Sequence, residues 1–433
     1  MRQAFIYAFL IVFQSFSFNQ TAPKLTLSDC ISIALQNSPY YRQIQSTKNR
    51  SATEVFTAIT PLLPQFSLIS EYSRTGPSDN NLFTVSPNLP AAPVQETGNI
   101  YQSNLSVEQT IIDASNWLGV KQAVTIKNAS IYTAQASTAD FVYNVKQAFY
   151  TLLQSYSSHT VAETTLSQNQ EQATIARERY RLGAINQPDL LQVETAFLQS
   201  QSSLTKAAAD LISSHRRLAS LIGRDSFSID TTLAFPDTTQ KIPPLDSLKR
   251  KVIEKSPSIL AAKQTTLADR VSRQRAWWST APVLSFTLTY GYSNNSFGFA
   301  NWSDHNFYDI NVSFIWNLFR GGSTIAQVRQ TAAQTGVSEA SEQITKSTAL
   351  DQLQQAYGNL SAAFRSLSLV NPLLTQSNES YKLMLEKFRL GAASSADLLS
   401  SQLTFVQSTQ QATSILIDYY TAYAEIIRIL GEW

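Results

Sequence analysis

The chain has 433 residues, enough to bury two or three ordinary cores, and its formal net charge of +2 gives no reason to expect nucleic acid as a partner. Only 15% of the residues are charged, against a usual quarter, so its polarity rests on Ser, Thr and Gln. One cysteine excludes an internal disulfide and a cysteine metal site, and three scattered histidines, His159, His215 and His305, imply neither a metal nor a cofactor.

The first elements form an export signal. Arg2 supplies a positive start, Ala4 to Phe13 is almost wholly apolar, and small residues follow. Residues 1–20 are therefore assigned as a signal peptide, with cleavage expected between 17 and 22. Its apolar core is too short to span a bilayer. No later stretch has the apolar length of a transmembrane helix, which leaves the periplasm, the medium or a β-protein of the outer membrane. Cys30 lies too late, and behind too large a residue (Asp29), for a lipoprotein site. It is expected as a buried small hydrophobe.

The rest reads as two copies of one unit. The first, residues 21–223, opens LSDCISIALQNSP from Leu27; the second, 245–433, opens LDSLKRKVIEKSP from Leu245, 218 positions later. Residues 224–244, with Pro236, Pro243 and Pro244, form the linker. Each copy begins with short helices and then alternates. In the second copy Leu284, Phe286, Leu288, Tyr290 and Tyr292 alternate with small polar residues, and Tyr308, Ile310, Val312, Phe314 and Trp316 do so again. Strands are predicted over ~64–73 and ~101–112, then ~282–293 and ~307–319. The pattern suits a membrane barrel with lipid outside and water inside. It equally suits a half-buried hairpin. Residues 76–100 and 294–306 would be the two extracellular loops.

After each strand pair comes a very long helix, predicted over ~115–182 and ~323–390. Val120 to Leu182 holds neither glycine nor proline, on the order of 95 Å of helix. Val142, Val145, Phe149, Leu152 and Tyr156 step by three and four, a coiled-coil seam. Return helices are predicted over ~188–222 and ~396–430. His159 and His215 fall on or near these seams and are expected as packed structural residues.

Between each long helix and its return the chain writes one corner twice. YRLGA spans Tyr180 to Ala184, FRLGA spans Phe388 to Ala392, and the matched residues stand 208 positions apart. Gly183 and Gly391 can end a helix in the left-handed conformation. Arg181 and Arg389 suit the negative helix end, and Asp189 and Asp397 the first turn of the return helix. Written twice, with Leu182, Ala184, Leu390 and Ala392 beside the glycines, the corner has the character of a docking surface.

Together, the duplicated strand pairs, long helices, RLGA corners and terminal glycines (Gly223 and Gly431) resemble the TolC-like outer membrane efflux family, over Leu25 to Trp433. The resemblance implies a mostly α protein with a small membrane β-barrel, assembled as a homotrimeric α/β barrel-tunnel in the outer membrane, in contact with its lipid and reaching through the periplasm. It implies a passive exit duct for tripartite efflux or type I secretion. The corner residues 181–184 and 389–392 would dock to a periplasmic adaptor (membrane fusion) protein, with an inner-membrane transporter beyond. The family narrows its tip with aspartates: Asp397 matches the first, Ser400 stands where the second would be, and Asp189 is the counterpart in the first corner. Helix capping is the competing role of both aspartates. The tyrosine and arginine that tie the hairpins in the family example are Phe388 and Ala393 here.

Bottom-up, four strands cannot close a barrel and open edges are not tolerated in lipid, so at least two copies must combine. A coiled-coil scaffold without a pore is the alternative. An enzyme is not supported, because the carboxylates follow helix periodicity and no nucleophile elbow or phosphate loop is present.

Overall fold

The computed structural model describes residues 24–75, 98–232, 235–236, 242–298 and 302–433. The expected signal peptide, most of the loop 76–100 and part of the linker lie outside them. In chain order the elements are α1 (Leu27–Asn37), α2 (Pro39–Ile59), a 3-10 turn, β1 (Gln65–Thr75), β2 (Gly98–Ile112), α3 (Ala114–Arg181) and α4 (Gln187–Ile222). Then follow α5 (Leu245–Lys255), α6 (Pro257–Trp278), β3 (Val283–Asn294), the short α7 (Trp302–His305), β4 (Asn306–Ile315), α8 (Ser323–Arg389) and α9 (Ser395–Leu430). The protein is thus mostly helical with one small antiparallel sheet. It divides into two compact units: residues 1–41, 141–241 and 359–424 in one, and 42–140, 242–358 and 425–433 in the other.

The second unit contains the sheet, in the order β1-β2-β3-β4. Its register sorts the side chains into two unlike faces. Phe66–Val107–Leu288–Ile310 and Leu68–Leu105–Tyr290–Tyr308 form rows on one face. Gln65–Glu108–Thr287–Asn311 and Ser67–Ser106–Thr289–Asp309 form rows on the other. The apolar face is exposed, with Phe66 and Leu68 each at 73%. A sheet exposing its apolar face inverts the soluble pattern and matches one that meets lipid. Aromatic residues mark both ends of that face. Tyr72 and Tyr101, with ring centroids 4.8 Å apart, stand at the loop end, and exposed Trp277, Trp278, Trp316 and Phe319 stand where strands meet helices. β4 stops at Ile315 because its partner β3 begins opposite, at Val283. Trp316 to Phe319 continue the alternation in sequence but have no strand to pair with among the described residues.

In the same unit α6 lies against α8 through a polar seam. Thr266 Oγ1 donates to the Ser338 carbonyl at 3.2 Å, the Ser338 hydroxyl donates to the Asp269 carboxylate, and Arg270 pairs with Glu339 at 2.8 Å. The small side chains let the two backbones come close, and each hydroxyl has an acceptor.

The first unit is built on the predicted seams. Val142, Val145 and Leu152 of α3 are each at most 1% exposed. Ala173 and Ala176 of α3 meet Val193 and Phe197 of α4, and Leu367 and Val370 of α8 meet Ala412 and Ile415 of α9. α1 starts with a capping box, Thr26 accepting from the Asp29 amide while the Asp29 carboxylate accepts from the Thr26 amide. Cys30 is fully buried, and burial, with Asp29 beside it, pushes its thiol up to about 11. It behaves as core rather than as a reactive group.

The sheet yields one prediction. A Cβ on Gly291 would run into Asn104 Oδ1 and lie 2.8 Å from the Phe307 ring, which packs over the glycine across the β3–β4 pair. Gly291→Val should therefore prevent correct pairing of β4. In outer-membrane extracts the heat-resistant oligomer should be lost, whereas Thr289→Val, one row away, should leave it in place.

Candidate functional site: the paired helical corners

Both long helices end in the same hydrogen-bonded motif, which the positive φ of one glycine makes possible. At the first corner Gly183 has φ 71°, the Gly183 amide donates to the Tyr180 carbonyl at 3.0 Å, and the Ala184 amide to the Arg179 carbonyl at 2.8 Å. At the second, Gly391 has φ 78°, its amide donates to Phe388 O at 3.0 Å, and the Ala392 amide to Lys387 O at 2.8 Å. These paired bonds are the Schellman arrangement, which satisfies the last carbonyls of a helix. Leu182 and Leu390 are left 73% and 83% exposed, at the same place beside the glycine in both corners. Arg181 turns back to Glu178 at 2.9 Å, and Arg389 to Glu386 at 3.3 Å.

The return helices start differently. Asn186 caps α4 by accepting from the Asp189 amide at 2.9 Å, with Pro188 in the first turn. α9 opens with a reciprocal box. Ser394 Oγ donates to Asp397 Oδ2 at 2.7 Å and accepts from the Asp397 amide at 3.2 Å, and the Ser394 amide donates to the same carboxylate at 3.3 Å. The Ser394 hydroxyl and then its amide hold the Asp397 carboxyl below the usual carboxylate range. Capping thus accounts for Asp397 within one chain, while its remaining lone pairs face solvent. Ser400, one turn later, is also exposed.

The two hairpins are tied largely by residues that the sequence did not single out, Arg179, Glu171, Gln168 and Gln402, which meet Phe388, Arg389 and one another. Arg179 donates Nη2 to the carbonyls of Phe388 and Arg389, both at 2.8 Å, and its guanidinium carbon lies 4.8 Å from the Phe388 ring centroid. A cation is thus set on the last carbonyls of α8, where the helix dipole is negative. Arg389 reaches Glu171 at 3.1 Å. Gln402 of α9 donates to Gln168 Oε1 at 3.0 Å and accepts from Gln172 at 3.4 Å. Phe388 is 2% exposed, packed with Leu398, Tyr381 and Ala393. The positions where the family example has a tyrosine and an arginine are therefore apolar core here, and the tie comes from α3. The signal was a difference between the copies: Arg179 corresponds to Lys387, 208 positions on.

His215 is absorbed by packing. His215 stacks on Phe227 at 4.3 Å, and its Nε2 lies 3.2 Å from the Phe227 carbonyl. His159 is 3.5 Å from Glu163, one turn along the same helix. Among the described residues no group of three His, Cys, Asp or Glu could hold a metal ion, and no helix is long and apolar enough to cross a membrane.

Comparison with known proteins agrees with this architecture. The model of the outer membrane efflux protein family matches in two stretches, residues 30–224 and 248–432. The chain is 20% identical over 410 residues to the outer membrane protein TolC of Escherichia coli, covering 91% of this chain and 80% of that one. It is 23% identical over 418 residues to the pyoverdine export outer membrane protein OpmQ of Pseudomonas putida, covering 94% and 85%. Among solved structures, a CusC structure described in terms of transmembrane channel formation superposes with a TM-score of 0.80, at 15% identity, over 98% of this chain and 96% of that one. With both stretches of the family model matched, the chain belongs to the outer membrane efflux protein family: it is an outer-membrane channel protein and not an enzyme.

Proposed function

We propose that the chain is one subunit of a homotrimeric, passive exit duct of an efflux or type I secretion system. On this reading residues 1–20 are removed on export, two repeats joined by 224–244 fold as one subunit, and the sheet closes with those of two other copies. The paired corners meet a periplasmic adaptor, which an inner-membrane transporter joins. One observation carries the reading most directly. A four-stranded sheet with an exposed apolar face and two free edges continues into helices of 68 and 67 residues. Free edges are not tolerated in lipid, so the sheet needs further copies. Passage then needs no chemistry from the wall, and energy comes from the transporter.

The docking part of the reading rests on the exposed Leu182 and Leu390 held by Gly183 and Gly391. A Cβ on either glycine would meet nothing within 4 Å, so a substitution there acts on the backbone and not on packing. A β-branched residue held at positive φ costs about 1–3 kcal/mol. Gly183→Val or Gly391→Val should abolish export while the trimer still assembles and inserts, read by a transport assay beside heat-resistant oligomer on gels. Normal export in both variants would remove the corners from the docking surface.

The closed arrangement of the two hairpins rests on Arg179. With Arg179→Ala, the Phe388 and Arg389 carbonyls lose the guanidinium, and Phe388 keeps only the Gly391 amide. Amide hydrogen exchange at Gly391 and Ala392 should rise several-fold, and single-channel conductance in planar bilayers should increase. Arg179→Lys should recover only part of the protection, because an ammonium cannot reproduce a planar donor stacked on the Phe388 ring.

Asp397 is the proposed constriction residue. Three copies near one axis would attract cations, since a ring of one sign in a narrow mouth focuses the field. The folded carboxyl starts below its ordinary range, so its charge and its cap are present above the unfolded value and are lost as pH falls through the folded one. Crowding of like charges in a ring pushes the other way and moves that loss to higher pH. Cation preference should thus be full at neutral pH and fall on acidification. Asp397→Asn should weaken it and flatten its pH dependence, whereas Asp189→Asn should do little. Reversal potentials across a salt gradient measure both; unchanged selectivity in Asp397→Asn would leave that residue as a helix cap alone.

A further inference from the structure

We propose that the end of the sheet where strands meet helices carries a binding surface for anionic phospholipid head groups. It is built from cations that stand one helical turn behind exposed aromatic and aliphatic side chains. The inference rests on the reading that the apolar face of the sheet meets lipid, and it adds which lipid that end selects. Four helix ends adjoin the sheet there: the end of α2 through its 3-10 turn, the start of α3, the end of α6 and the start of α8.

Three of these helices carry the same pairing. On α6 Arg273 precedes Trp277 by four residues, and Arg275 precedes Trp278 by three. On α3 Lys121 follows Trp117 by four, and on α8 Arg329 follows Ile325 by four. Residues three or four apart share a helix face, with Cβ atoms about 5–6 Å apart. In every pair the apolar side chain is nearer the sheet and the cation farther from it. Arg320 repeats the order outside a helix, four residues after Trp316. Trp117, Trp277, Trp278, Trp316 and Ile325 are each more than half exposed, and all five cations are exposed.

Charge is concentrated at this end. The whole chain has a formal net charge of only +2, yet the carboxylates near these cations are committed elsewhere. Asp113 caps α3, accepting from the Ser115 and Asn116 amides at 2.8 and 3.1 Å. Glu54 of α2 pairs with Arg50 at 3.2 Å. Glu108 lies in the polar row with Thr287 and Asn311, on the other face of the sheet. Arg270, a turn deeper on α6, is paired with Glu339, whereas none of the five cations is in an ion pair among the described residues. Two contacts hold the surface in place. Arg275 Nε donates to Ser115 Oγ at 3.4 Å, and its guanidinium crosses Gly119, where a Cβ would come within 3.4 Å of Cζ. Trp316 donates its indole N–H to the Thr280 carbonyl at 3.1 Å.

The order of groups matches a phospholipid. Outward from the hydrocarbon, a lipid presents its ester carbonyls and then its phosphate. Indole rings favour the first level, and arginine and lysine, apolar in the stem and charged at the tip, reach the second. A zwitterionic head group brings its own ammonium to the phosphate. Phosphatidylglycerol and cardiolipin bring none, and basic clusters beside a membrane segment favour such lipids. With the helices in the periplasm, the lipids concerned are those of the periplasmic leaflet.

The test uses the full-length chain, purified from outer membranes in a non-ionic detergent, with dioleoyl phosphatidylglycerol and dioleoyl phosphatidylcholine as probes in equal amounts. Native mass spectrometry should show phosphatidylglycerol retained several-fold over phosphatidylcholine, and high salt should remove the difference. Each of Arg273→Gln, Arg275→Gln and Arg320→Gln should lower that ratio by up to about fivefold, and the three together should bring it near unity. Lysine at the same three places should keep most of the preference. Arg216→Gln, Arg217→Gln and Arg224→Gln together remove the same charge from exposed positions in the first unit and should leave the ratio unchanged. A ratio near unity in the unaltered chain, or equal ratios in the two triple variants, would overturn the proposal. Displacement of phosphatidylglycerol by inorganic phosphate would overturn it in favour of a simple anion site. The lipid-facing sheet is tested separately, in nanodiscs of phosphatidylcholine with brominated chains, which should quench the tryptophan fluorescence. Quenching without a head-group preference overturns this inference and leaves the sheet in lipid; absence of quenching overturns the lipid-facing sheet, and this inference with it.

Discussion

The constraint on which the rest depends is the hydrogen bonding of four strands whose outer edges have no strand partner among the described residues. β1 and β4 each leave one row of backbone groups unpaired, and a hydrocarbon surrounding makes every such group costly. The apolar rows through Phe66, Leu68, Tyr290 and Tyr308 require that surrounding, while the rows through Ser67, Thr289 and Asp309 require water on the other face. Both demands are met only when several sheets share one closed wall. On the proposed reading the unit of function is an assembly, and much of what looks odd in one chain is surface for a neighbour. The exposed tryptophans at the strand–helix junctions fit the same picture, since their amphipathic rings favour the boundary between lipid and water.

The duplication has a second consequence at the corners. One turn is used twice because each hairpin must reverse two very long helices within a few residues, and the Schellman bonds around Gly183 and Gly391 satisfy the helix ends without long loops. The two hairpins are nevertheless not equivalent. The first carries Arg179, the second offers the carbonyls of Phe388 and Arg389. A guanidinium bonded to two backbone carbonyls and lying on a ring gives a tie of fixed, planar geometry. The capped Asp397, its carboxyl held below the usual range by Ser394, is the part of the corner that responds to acid. With Phe388 and Ala393 packed as apolar residues, the hairpins of this chain are held together by Arg179, by Glu171 on Arg389 and by the Gln168–Gln402 contact.

How much of this was legible in the sequence depended on periodicity. Period-two segments with aromatics at their ends and seams stepping by three and four state which side chains share a face, so the strands, the long helices and the buried Val142, Val145 and Leu152 could be read directly. The glycine corners were legible because φ above zero leaves few alternatives. The ties were not, because Arg179, Glu171, Gln168 and Gln402 meet partners more than 200 positions away. Nothing local in the sequence distinguishes them from ordinary surface residues.

The low charge of the chain bears on how such an assembly could move. Along α3 the hydroxyls of Thr151, Ser155, Thr160, Thr164, Thr165 and Thr174 each donate to the carbonyl one turn earlier. A hydroxyl bonded to its own helix has little left to give a neighbour. Helices faced in this way pack by shape and exchange few bonds when they shift. The difference between two arrangements of the hairpins then falls on a small number of strong contacts, and those lie within a few turns of the corners: Arg179 on two carbonyls, Glu171 on Arg389, and Gln402 between two glutamines. An adaptor that covers Leu182 and Leu390 would act next to those contacts. On the proposed docking reading, binding at the corner and loosening of the hairpins would be coupled through the last turns of α3 and α8.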